Sequence, residues 1–146
     1  QIVAQYYDFL RLGRDGYRRV HDAAYATGRY LAQEIDNLGV FELLHDSNEA
    51  TGTPCVTWRI PEGSDPGFTL YDLADRLRIK GWQVPAYTLT GEASDIAVQR
   101  ILVRQDVSRD LASLLMDDFR DALAHLDRHP VTVPMTKEES SGFNHL

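Results

Sequence analysis

Arg100 lies in a strand-like run, 96–103, where period-2 alternation puts Val98, Arg100, Leu102 and Arg104 on one face. One guanidinium therefore shares a face with apolar neighbours, where it either snorkels to water or pairs with a carboxylate. Arg104 carries no motif and is expected in a surface ion pair. His125 and His129 are four residues apart on a helical run, a spacing that can place two imidazoles on one metal ion. A third ligand has no evident source. His129 also precedes Pro130 at the helix end, where an imidazolium complements the helix dipole, so no metal site is expected. His21 and His45 have no motif around them. Cys55 is the single cysteine, which rules out an intrachain disulfide and a thiolate cage and suits a reducing compartment. No Gly-rich phosphate loop, no G-x-S-x-G and no Cys/His pairing is legible, so the chain holds no self-contained catalytic apparatus.

These side chains must be positioned by elements that the hydrophobic pattern predicts. Ile2, Val3, Tyr6, Phe9 and Leu10, then Tyr17, Val20, Ala24, Leu31, Ile35 and Leu38, recur at helical spacing. They predict one long helix, broken near Gly13 and Gly16 and ended by Gly39. Such a helix outruns a small domain, so its first part is expected to pack on something beyond this sequence. Residues 40–45 and 55–60 read as an antiparallel strand pair. Thr69 is a helix N-cap with Asp72 three residues on, and the stripe Leu70, Leu73, Leu77 ends at Gly81. Residues 84–89 and 96–103, separated by Thr90, Gly91, Glu92, Ser94 and Asp95, form a hairpin-like pair. Ser108 caps a last helix whose face is Leu111, Leu114, Leu115, Phe119, Ala122 and Leu126, stopped at Pro130. The order favours an α+β class, with helices covering one face of a mainly antiparallel sheet.

Composition narrows the function classes. In 146 residues, 43% are hydrophobic and 25% charged, as in globular domains, and the net charge is −7 with pI about 5.1. Thirteen arginines and two lysines, Lys80 and Lys137, form no cluster that tracks phosphates. Nucleic-acid binding is excluded on that ground. No apolar run approaches the ~18 residues of a membrane span. The sequence opens on Gln1 without signal-peptide features and is expected to continue upstream. Three parts are expected: a lead-in helix over 1–38, a small α+β domain over 39–129, and a flexible tail over 130–146 without a calmodulin-type basic stretch.

Several blocks in the right order carry a resemblance to a known family. GWQVPAYTL at 81–89, the Gly-Glu-Ala-Ser-Asp turn at 91–95, the Arg100 strand, QYYDFLRLGRDGY at 5–17, DPGFTLYDLADRLR at 65–78 and the Phe143-Asn144-His145 ending together resemble the C-terminal part of bacterial-type glutamate decarboxylases. Those are enzymes of the aspartate aminotransferase-like fold, fold type I, that depend on pyridoxal 5'-phosphate. The likeness runs across the whole sequence.

The resemblance implies that this is the small C-terminal domain of a lyase converting L-glutamate to 4-aminobutyrate and carbon dioxide. It further implies the setting of acid resistance in the cytoplasm, at least a dimer, and a larger cofactor-holding domain of the same protein as partner. In that family the arginine matching Arg100 holds the substrate α-carboxylate, for which a planar guanidinium fork suits two oxygens as lysine does not. The Schiff-base lysine follows a histidine in the larger domain. Lys80, in RIKGW, and Lys137, in TKEES, do not match it, so by itself the segment is expected to be inactive and not to bind the cofactor. His145, with Phe143, matches a tail that caps the active site as pH rises, although Leu146 departs from the threonine expected there. The other readings are a noncatalytic fragment or binding module, and a decarboxylase of another amino acid. Arg100 does not discriminate among the latter, because every amino acid has an α-carboxylate.

Overall fold

The structure is a computed structural model that describes residues 1–48, 50 and 52–139. Helix α1 runs Ile2–Asp36, strand β1 Glu42–Asp46, β2 Cys55–Arg59, helix α2 Leu70–Ile79, β3 Ala86–Thr88, β4 Ala97–Leu102 and helix α3 Arg109–Arg128. A single 3-10 turn, Gly91–Ala93, lies between β3 and β4. The strands make one antiparallel sheet in the order β1-β2-β4-β3. Both expected strand pairs are present, and β4 joins them by pairing with β2 as well as β3.

Helix α1 is two helices in one. Gly13 takes φ 58° and ψ −173°, a backbone state that glycine reaches without a Cβ clash, and the helix kinks there. Beyond the kink Ala24, Leu31, Ala32 and Ile35 are buried, whereas before it Ile2, Val3, Tyr6, Phe9 and Leu10 are more than half exposed.

Local signals set α2 closely. The Thr69 side chain accepts from the Asp72 N–H and the Asp72 carboxylate accepts from the Thr69 N–H, a complete capping box. At the other end Gly81, at φ 91°, donates to Arg78 O and Trp82 to Leu77 O, which closes the helix in a Schellman turn. Helix α3 begins at the predicted cap, Ser108 Oγ accepting from the Leu111 N–H at 3.1 Å. Its buried face is rotated from the one expected. Ala112, Leu115, Met116, Phe119, Ala122 and Leu126 are buried, while Leu111 and Leu114 stay 39% and 55% exposed. Their positions flank the stripe that meets α1 and α2.

All three helices pack on one face of the sheet. Phe41, Trp58 and Phe119 form an edge-to-face cluster at its centre, with centroids 5.9–6.4 Å apart. Burying side chains of that size contributes about 1.5–3 kcal/mol each. Val56 and Trp58 of β2 point into this core, as do Val103 just after β4 and the partly buried Ala97 and Ile101. By pleat alternation Cys55, Thr57 and Arg59, with Val98, Arg100 and Leu102, line the opposite, helix-free face. The segment expected as a flexible tail is held down over its described part. Val131 packs on the core, and the Met135 N–H donates to Asp72 Oδ1 at 3.1 Å. Among the described residues no helix is long and apolar enough to cross a membrane.

Candidate functional site

The helix-free face gathers the polar chemistry around Arg100. Register sets Thr57 of β2 opposite Arg100, and Cys55 opposite Leu102. On the other side Tyr87 of β3 pairs with Val98, which makes Tyr87 the diagonal neighbour of Arg100. The Arg100 Cζ stands over the Tyr87 ring, 5.8 Å from its centroid. Arg100 is exposed, and among the described residues its guanidinium makes no ion pair and no hydrogen bond.

Arg59, on the same face, has the opposite arrangement. Its Nε donates to Glu42 Oε2 at 2.8 Å, across the β1–β2 pair, and this hydrogen-bonded carboxylate raises the guanidinium pKa further above its ordinary value. Of two arginines on one sheet face, Arg59 is paired with a carboxylate, whereas among the described residues Arg100 is not.

Other sequence candidates settle into structural roles. Arg104 lies past β4 and reaches Asp106 at 3.9 Å, the surface ion pair expected of it. The His125 and His129 rings stack at 4.4 Å, and His129 Nδ1–H donates to His125 O. Half-burial lowers the His125 pKa, and the charges of Arg76, His129 and Arg128 lower it further. No group of three or more metal-ligating side chains occurs among the described residues. Lys80 Nζ lies 3.2 Å from Asp118 and 3.8 Å from Asp121, so it is an ion-paired ammonium. Lys137 Nζ donates to Thr88 Oγ1 at 2.9 Å. Both lysines are thus engaged by other side chains. Phe143 and His145 lie outside the described residues.

The fold also joins residues that the sequence left apart. Cys55 Sγ is 3.6 Å from His45 Nδ1, a Cys/His contact that no motif announced. That nitrogen is also 2.9 Å from Cys55 O and 3.1 Å from the Ser47 N–H, and Cys55 is only 7% exposed. The imidazole is thereby tied to backbone where β1 and β2 pair. Tyr87 beneath Arg100 was missed as well, though an aromatic in a strand paired with the arginine's own was the available signal.

Fold and site together define a small α+β domain that presents an uncompensated arginine on an open sheet. No family model matches the chain. The chain is 48% identical over 145 residues to glutamate decarboxylase of Aliivibrio fischeri, covering 99% of this sequence and 31% of that protein. Glutamate decarboxylase of Lactococcus lactis subsp. cremoris is 37% identical over 146 residues, again with 31% of its length spanned. Among solved structures, Lactobacillus brevis glutamate decarboxylase superposes with a TM-score of 0.83 at 39% identity, covering 90% of this chain and 29% of that one. Along its whole length the chain is thus similar to the C-terminal part of bacterial glutamate decarboxylases and has the fold of that part. It spans about a third of their length.

Proposed function

We propose that this chain is the small domain of a pyridoxal-phosphate-dependent L-glutamate α-decarboxylase, which forms 4-aminobutyrate and carbon dioxide in the cytoplasm. Arg100 binds the substrate α-carboxylate there. The observation that carries this role is the contrast between Arg59, paired with Glu42, and Arg100, exposed on the same face with no carboxylate partner among the described residues. A planar fork holds both oxygens of the leaving carboxylate and fixes its orientation. The cofactor and its lysine belong to the two-thirds of the relatives' length that this chain does not span, because Lys80 and Lys137 are engaged elsewhere. By itself the chain is therefore a noncatalytic segment.

The apolar face of α1 before Gly13 supports a partner of the same protein. Ile2, Val3, Tyr6, Phe9 and Leu10 dock on the larger domain, within an enzyme that is at least a dimer. His145, with Phe143, acts as a pH-dependent lid over the active site. Its imidazole, with an ordinary pKa of ~6.5, becomes neutral as pH rises. The test of the central claim is L-glutamate decarboxylation by the full-length protein. Arg100→Lys should lower kcat/KM by roughly 10- to 150-fold, the equivalent of about 1.5–3 kcal/mol for a charge-assisted contact. Unchanged kinetics would remove Arg100 from the site.

A further inference from the structure

An arginine that must receive an outside carboxylate faces a conflict. Left unheld, its long side chain samples many rotamers, and each productive encounter loses that entropy. Held by a carboxylate, as Glu42 holds Arg59, it loses donors and charge to the protein. An aromatic face avoids both outcomes, since the ring attracts the cation through its quadrupole and uses no N–H group.

Resting on the reading of Arg100 above, we infer that Tyr87 is a positioning residue that holds the Arg100 guanidinium in place for substrate without neutralising it. The geometry follows from the sheet. Tyr87 pairs with Val98, and Arg100 two residues further along β4 comes diagonally over the ring, with Cζ 5.8 Å from its centroid. The ring is half-buried and belongs to a short strand anchored by pairing to β4, so it is a fixed surface. Thr57, opposite Arg100 on β2, is uncharged, as are Val98 and Leu102 beside it on β4. Among these register neighbours the Tyr87 ring is the side chain that attracts a cation. Its π face acts here, and the phenol hydroxyl is dispensable.

Steady-state kinetics on the full-length enzyme with L-glutamate test this with Tyr87→Phe, Tyr87→Val, Arg100→Gln and the double variant Tyr87→Val/Arg100→Gln. Tyr87→Phe keeps the ring and should match wild type. Tyr87→Val keeps strand propensity and removes the ring, and should lower kcat/KM about two- to five-fold, the range of an exposed cation–π contact. In the Arg100→Gln background the same Tyr87→Val change should have no further effect, which a merely structural role would not produce. Should Tyr87→Val fail to fold, Tyr87→Thr takes its place in the same cycle. Full activity without the ring, or an undiminished loss in the Arg100→Gln background, would overturn the positioning role while leaving Arg100 in the site. Wild-type kinetics in Arg100→Gln would instead overturn the carboxylate reading itself, and the inference with it.

Discussion

Asp72 joins two parts of the chain that are 63 residues apart, and removing its carboxylate should loosen both. Oδ2 accepts from the Thr69 N–H and from Thr69 Oγ1, each at 2.8 Å, and Oδ1 accepts from the Met135 N–H at 3.1 Å. In Asp72→Ala the Thr69 hydroxyl still has Met135 O within 3.1 Å, and Thr69 Oγ1 still accepts from the residue 72 N–H. Two backbone N–H groups are left without an acceptor, in a place where the native side chain is only 7% exposed. Hydrogen bonds to a charged group are worth about 1.5–3 kcal/mol each, and partial access of water to the emptied space returns some of this. The expected loss is about 2–4 kcal/mol, or a Tm lower by roughly 5–15 °C for a chain of this size. Amide hydrogen exchange resolves the local part. The Met135 amide should exchange at least tenfold faster in the variant, and trypsin should cut sooner after Lys137. Asp72→Asn, with one acceptor oxygen, should fall between. Unchanged protection at Met135 together with an unchanged denaturation midpoint would refute the reasoning.

A Cβ at Gly28 would lie 2.1 Å from Ser47 Oγ and 2.7 Å from Ser47 Cβ, so Gly28→Ala should destabilise by about 1–3 kcal/mol in urea melts despite alanine's helix propensity. Ser47→Gly suits the φ of 64° there, removes a buried hydroxyl that has no hydrogen-bond partner among the described residues, and should rescue most of that loss in the double variant. Asp118 has its pKa lowered by the hydrogen bond from Trp82 Nε1 and by Lys80. A depressed carboxylate stabilises the fold above its unfolded pKa, and the contribution disappears as pH falls through the folded value. Asp118→Asn should therefore lower stability at neutral pH and flatten the acid limb below about pH 4, as read by urea midpoints across pH. If the proposed lid role of His145 holds, deleting Phe143 to Leu146 from the full-length protein should extend decarboxylase activity toward neutral pH and leave activity at acidic pH unchanged, and an identical pH profile would remove that role.

Much of the local structure was legible because its causes are local. Thr69 and Asp72 build a cap from side chains three residues apart, Gly81 supplies the turn that ends the helix, and Ser108 starts the next one. Period-2 alternation placed Val98, Arg100 and Leu102 on one face before any partner strand was known. The whole-length likeness to glutamate decarboxylases was carried by blocks of sequence, and Arg100 became a candidate site residue through it. Tertiary structure decided what each face meets. Only the order β1-β2-β4-β3 sets Arg100 between Thr57 and Tyr87, Arg59 against Glu42, and Cys55 beside His45. On α3 the hydrophobic pattern permitted two neighbouring stripes, and contact with α1 and α2 selected the one through Ala112 and Met116, leaving Leu111 and Leu114 exposed. The Asp72 to Met135 bond is likewise invisible to any local rule, since a buried carboxylate takes whichever N–H the fold delivers. Sequence spacing determines which side chains share a face, whereas charge compensation depends on what lies across from that face, and that is fixed only when strands separated by a helix come together.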